Sequence, residues 1–123
     1  MIKITQEEVN EVVRLHGLWL RDKKTGERAN FSEKDLSGLD LSGTNLRRAN
    51  LSYTNLSDAD LSDADLRGAN LRHAYFSGTD LRRANFRGAD LWRANFSRVN
   101  VSNVSFLLAY LNNADLSCAD LRR

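Results

Sequence analysis

The 123-residue chain contains no proline. Proline is the one residue without a backbone N–H, so its absence suits a fold in which each amide is needed for pairing between stacked strands. Cysteine is nearly absent as well: Cys118 stands alone, which excludes an internal disulfide. The opening MIKITQEEVN has no apolar stretch after a basic start, so no secretory signal is expected and the expected compartment is a reducing cytoplasm. No window approaches the roughly eighteen consecutive apolar residues of a membrane span, and no membrane association is expected. Charge of one sign is missing too. The net charge is +2, with 12 basic against 11 acidic residues in 29–123 and 6 against 5 in 1–28, so neither part is a basic or an acidic tail. The two histidines, His16 and His73, belong to different parts of the chain. No metal cluster, nucleophile beside a base or phosphate loop is visible, and no cofactor is expected.

What is present is a period of five. Stepping by five from Phe31 to Leu121 visits nineteen positions, of which thirteen are Leu, five are Phe and one is Val101. Two residues before each central residue stands Ala twelve times and Thr three times, with Lys34, Leu39, Val99 and Val104 as exceptions. The residue just before the centre is Asp eight times and Asn eight times, with Tyr75, Ser105 and Tyr110 departing. Neither a 3.6-residue helix nor a strand alternating every two residues gathers a five-residue period onto one face. If each pentad instead forms one short side and turns a corner, four pentads bring the chain above its start after twenty residues. The central residue and the small residue then point inward. Asn and Asp tolerate the corners and can bond neighbouring amides. Coils stacked about 4.8 Å apart give a rod on the order of 23 Å long.

Units such as Ala49-Asn50-Leu51-Ser52-Tyr53, Ala64-Asp65-Leu66-Arg67-Gly68 and Ala84-Asn85-Phe86-Arg87-Gly88 resemble the pentapeptide-repeat family, whose motif is A(D/N)LXX. The resemblance covers about three quarters of the chain, residues 29–123. It implies an all-β solenoid, a right-handed quadrilateral β-helix, here of nearly five coils, often capped by a helix at one end and often dimeric through the other. Its functions range widely, from gyrase protection to bacterial effectors.

Residues 1–28 break the period and read as a helical cap and linker. Thr5-Gln6-Glu7-Glu8 is a capping box that starts a helix. Val9, Val12, Val13, His16, Trp19 and Leu20 give that helix one apolar face, and cap packing is the expected role of His16 and Trp19. At the other end the repeat runs to Leu121, Arg122 and Arg123. A second copy covering this last coil is the expected arrangement, with Leu107, Leu108 and Leu121 as candidate interface residues, the alternative being that Arg122 and Arg123 discourage edge pairing and keep a monomer.

Residues twenty apart stack, which prints four sides. One carries Ser37, Ser57, Ser77, Ser97 and Ser117; the next carries Asp40, Asp60, Asp80 and Asp120, with Asp63 beneath Arg83. The third is a basic ladder of Arg47, Arg67 and Arg87, above which Leu107 and Leu108 point outward or the chain bulges. The fourth collects Tyr53, Arg72, His73, Trp92, Arg93 and Tyr110. Aromatic and Arg residues are what protein interfaces concentrate, so this is the candidate partner-binding side. A filled rod has no concavity for convergent catalytic groups, and no enzyme is expected. The expected function is a protein-interaction scaffold. A DNA-mimicking modulator of gyrase or topoisomerase fits poorly, because residues 69–88 carry four Arg against one Asp. Weak nucleic-acid binding through the Arg and aromatic sides is the remaining alternative.

Overall fold

A pentad has five backbone N–H groups, and the regular unit finds a partner for each. In Ala49–Tyr53, Ala49 N–H donates to Leu46 O across the corner (3.0 Å), Asn50 N–H to Ala29 O in the coil below (3.0 Å), and Leu51 and Tyr53 N–H to Asn70 O and Arg72 O in the coil above (2.7 and 2.8 Å). That leaves Ser52, whose amide donates to the Asn50 side chain (3.1 Å). This fifth bond is why Asn or Asp recurs before the centre: all sixteen of them accept from the amide two residues on. Tyr75, Ser105 and Tyr110 supply no such acceptor, and the amides of Ser77, Leu107 and Asn112 lack this partner.

The computed structural model describes residues 1–122; Arg123, the last residue of the expected repeat, lies outside them. The coils pair in parallel at an offset of twenty, as in Asn30–Asn50–Asn70–Asp90–Tyr110 and Asn45–Asp65–Asn85–Ser105. Leu107 and Leu108 point outward with the register unbroken around them, so no bulge forms there. No bridge joins Asp80 to Asn100, beside Val99, where a branched residue replaces the usual inward Ala.

Each corner turns on the second residue after the centre, which has positive φ at Tyr53 (57°), His73 (58°), Arg93 (57°) and Leu108 (60°), among others. This left-handed conformation is strained for side chains branched at Cβ. No Val, Ile or Thr occupies any such position. We expect Arg98→Val to destabilise the protein by about 1–2 kcal/mol and Arg98→Gly to be neutral or stabilising, read from denaturant midpoints; equal midpoints would show that the corner at Arg98 is not left-handed.

Inside, central residues such as Leu51, Leu71 and Leu91 are fully buried beside Ala49, Ala69 and Ala89. Four rings interlock across the axis of the upper coils. Phe76 stacks on Phe96 (4.3 Å) and Phe86 on Phe106 (5.4 Å), and Phe86 meets Phe76 and Phe96 edge-on at 5.8 and 6.0 Å. Buried Thr54 and Thr79 return their hydroxyls to Phe31 O and Leu56 O.

The non-repeating segment starts with a strand that the periodicity does not reveal. β1 (Ile2–Lys3) pairs in parallel with β2 (Lys34–Asp35), and Ile4 N–H continues to Asp35 O (3.2 Å), with Ile4 joining the core. Between them lies α1 (Gln6–Arg21), opened by the Thr5–Glu8 capping box. Side chains tie α1 and its flanks to the first coil, among them Arg28, whose Nε donates to Arg48 O (2.6 Å). The Gln6 carboxamide donates to Asp40 O (2.7 Å) and accepts from Asp40 N–H (2.8 Å), as a neighbouring strand would. Lys3 Nζ donates to Ser37 O. His16 is buried and sits between Ala29 N–H (2.9 Å) and Arg47 O (2.8 Å).

Candidate interaction surface

Corner residues twenty apart rise by about one strand spacing, so flat side chains placed there must meet. Tyr53 and His73 do: their rings stack at 4.4 Å with 6° between planes. Trp92 enters from the side one residue before the next corner, and His73 meets it nearly edge-on at 5.2 Å and 78°. Two guanidinium groups flank the indole, Arg72 at 4.6 Å and Arg93 at 4.8 Å from its centroid. Arg72 also donates to the Asp90 carboxylate (3.2 Å). Aromatic pairs contribute about 0.5–1.5 kcal/mol and exposed cation–π pairs about 0.5–1 kcal/mol. Together they hold these rings in one arrangement while leaving Tyr53 47% exposed. A partner meeting such a surface has few rotamers left to freeze.

Tyr110, the sixth residue of the expected surface, makes no ring contact with the other five. Like Leu107 and Leu108, which stand above Arg87 and Gly88 on the preceding side, Tyr110 is exposed, at 63% against 58% and 67%. Leu121, grouped with Leu107 and Leu108 from the sequence, is separate from them. It is exposed beside Val101, Val104 and Phe106 at the last described coil.

Periodicity alone overlooks a continuation of the aromatic cluster toward the N-terminus. A shallow depression of about 500 Å³ lies between Tyr53 and Tyr75, with Met1, Ile2, Ser32, Glu33 and Lys34 completing its lining. The rod is thus not wholly without concavity. Tyr75 stands out in the sequence only by displacing an Asn or Asp; Met1 and Ile2 carry no repeat signal.

On the basic ladder, Arg67 is held by Asp65 through two hydrogen bonds (2.8 and 2.6 Å). Burial alone would raise the Asp65 carboxyl, but the hydrogen bonds and charge of Arg67 outweigh it and bring it below the usual range. On another side, Arg83 forks onto Asp63 one coil below (2.7 and 2.9 Å) and lowers that carboxyl in turn. Among the described residues no group of three or more His, Cys, Asp or Glu is arranged to hold a metal ion, and no helix is long and apolar enough to cross a membrane.

The family model of pentapeptide repeats matches residues 27–63, 64–103 and 89–123. Among solved structures the chain is similar to a pentapeptide repeat protein from the Arabidopsis thaliana thylakoid lumen, with 33% identity and a TM-score of 0.56 over 72% of this chain and 62% of that one. It is also similar to a pentapeptide repeat protein from the cyanobacterium Cyanothece 51142, with 34% identity and a TM-score of 0.41 over 76% of this chain and 58% of that one. A third is the plasmid-mediated fluoroquinolone resistance protein QnrB1, with 25% identity and a TM-score of 0.47 over 73% of this chain and 38% of that one. The chain spans about three fifths of the length of the first two. No curated protein matches it.

Proposed function

Starting from the chain's membership of the pentapeptide-repeat family, we propose that it is a non-catalytic protein-interaction scaffold, a right-handed rod of nearly five coils capped by α1. Its binding surface is the cluster of Tyr53, Arg72, His73, Trp92 and Arg93. The observation that carries this reading is the continuous contact from Tyr53 through His73 to Trp92 between two guanidinium groups. Solubility does not require an ordered, half-exposed set of aromatic and Arg side chains, whereas interface hot spots concentrate those types. The side with Ser at every coil is built by the same backbone without them. Surface charge argues against a DNA-mimicking rod, since Arg82 and Arg83 pair with Asp80 and Asp63 where acidic groups line up and another side carries Arg47, Arg67 and Arg87. A reducing cytoplasm is the proposed compartment. A second copy is proposed to cover the last described coil, where Leu111 and Leu116 are only partly buried although their counterparts Leu91 and Phe96 are fully buried.

The test places a photo-crosslinking residue at position 92 and, separately, at position 57 on the serine side, and compares the proteins each captures in a native lysate. We expect a species captured from position 92 and not from 57, and its loss from a Tyr53 crosslinker when Trp92→Ala and Arg93→Ala are combined. The variant should still fold and melt cooperatively, with only the modest loss expected from the ring and cation–π contacts removed, because both side chains lie outside the core. Identical capture from positions 92 and 57 would remove this surface from the reading.

A further inference from the structure

We propose that the side bearing Arg47, Arg67 and Arg87 docks an acidic amphipathic helix of a partner protein. Acidic side chains of that helix would sit on the arginine rungs, and an apolar turn on Leu107 and Leu108. This surface is separate from the aromatic cluster, so the two readings stand or fall independently.

A trough of about 300 Å³ runs along this side, with Gly68 and Gly88 between the rising side chains of Arg48 and Leu108. Of its four arginines only Arg67 has an acidic partner, Asp65 at 2.6 Å. Among the described residues Arg47, Arg48 and Arg87 form no ion pair. The scaffold does not demand arginine here, because the equivalent position on another side is Ser in every coil. An occupant of this trough must therefore bring negative charge.

Spacing selects its form. The rungs repeat about every 4.8 Å, so Arg47 and Arg87 are about 9.6 Å apart along the axis. A helix presents residues i, i+4 and i+7 on one face over about 10.5 Å. An extended strand presents every second residue about 6.7 Å apart and covers about 13 Å in the same two steps. The helix stays within about 1 Å of the rungs, where the strand drifts by nearly 4 Å. Beyond the last rung the surface turns apolar at Leu107 and Leu108, which are 58% and 67% exposed. A polyphosphate or nucleic-acid backbone has nothing to bury against two leucines, whereas the next turn of an amphipathic helix does.

The test is a fluorescence anisotropy titration of the full chain with a labelled synthetic helical peptide carrying Glu at i, i+4 and i+7 and Leu at i+11. Saturable binding that weakens with added salt is expected. Arg47→Ser and Arg87→Ser should each weaken it several-fold, and together by about tenfold or more. Leu107→Ser with Leu108→Asn should weaken it without altering its salt dependence. Ser and Asn already stand in sequence at Ser102 and Asn103, so these replacements suit the corner, and unchanged melting would confirm it. Arg82→Ser, on another side, and Trp92→Ala should leave the titration untouched. The proposal is overturned by absence of saturable binding, by equal binding of the Glu→Gln peptide, or by a single-stranded oligonucleotide or polyphosphate that binds more tightly and depends on the same arginines.

Discussion

Phe86→Asp is expected to abolish the cooperative thermal transition, while Phe86→Leu should lower stability by only about 1–1.5 kcal/mol. The Phe86 ring is fully buried, within 6.0 Å of three other rings. A carboxylate there has no cationic partner and no water, and an unpaired buried charge costs more than the net stability of most single domains. Protonating it does not rescue the site, because a neutral carboxyl still fails to fill the space beside the stacked Phe76 and Phe96 rings. Solenoids are held largely by contacts between neighbouring coils, so the break lies where the stack has no alternative route. Leucine, in contrast, is the usual central residue of this repeat, and the cost is a partly filled gap among the rings. Circular dichroism melts of both variants measure the difference. A wild-type transition in Phe86→Asp would mean that the ring does not lie in the axis.

The same contrast separates what the sequence makes legible from what it does not. The offset of twenty follows from the pentad, because four equal corners close a coil, and the Asn or Asp before the centre follows from the one amide that stacking leaves over. Asp63 under Arg83 and the common side of Tyr53, His73 and Trp92 come from the same count. What escapes is set by contacts between parts that share no period. Ile2 pairs with Lys34, thirty-two residues on, an offset unrelated to the repeat. Gln6 can stand in for a strand at Asp40 only because α1 places it there. The separation of Tyr110 from Trp92 is likewise invisible to periodicity. Both sit on one side, but Tyr110 occupies the position before the centre rather than the corner or the residue before it, and its ring meets none of the others.

His16→Ala should destabilise the seat of α1 on the first coil by about 1–3 kcal/mol, because it strands the buried Ala29 N–H and removes the part-buried partner of Arg47 C=O. Since Ala29 N–H donates to Nδ1, that nitrogen has no proton, and Nε2–H donates to Arg47 O. The imidazole is thus neutral and fixed in one tautomer. Protonation would place an N–H against the N–H of Ala29. Burial pushes the His16 pKa below its ordinary value, and the charge of Arg28 acts in the same direction, against the Arg47 carbonyl. The folded state therefore binds fewer protons than the unfolded one. Stability from this residue is complete above the ordinary histidine pKa, about 6.5. It falls as pH drops from there toward the lowered folded value, at no more than about 1.4 kcal/mol per pH unit. Asp35, Asp40 and Asp63 are held below the usual carboxylate range by their hydrogen bonds, so they titrate at lower pH and leave the window between about 6.5 and 5 to histidine. Denaturant unfolding across that window should show the slope in the native chain and its loss in His16→Gln, whose carboxamide keeps a donor and an acceptor but takes up no proton. A slope that persists in His16→Gln would place the titrating group elsewhere.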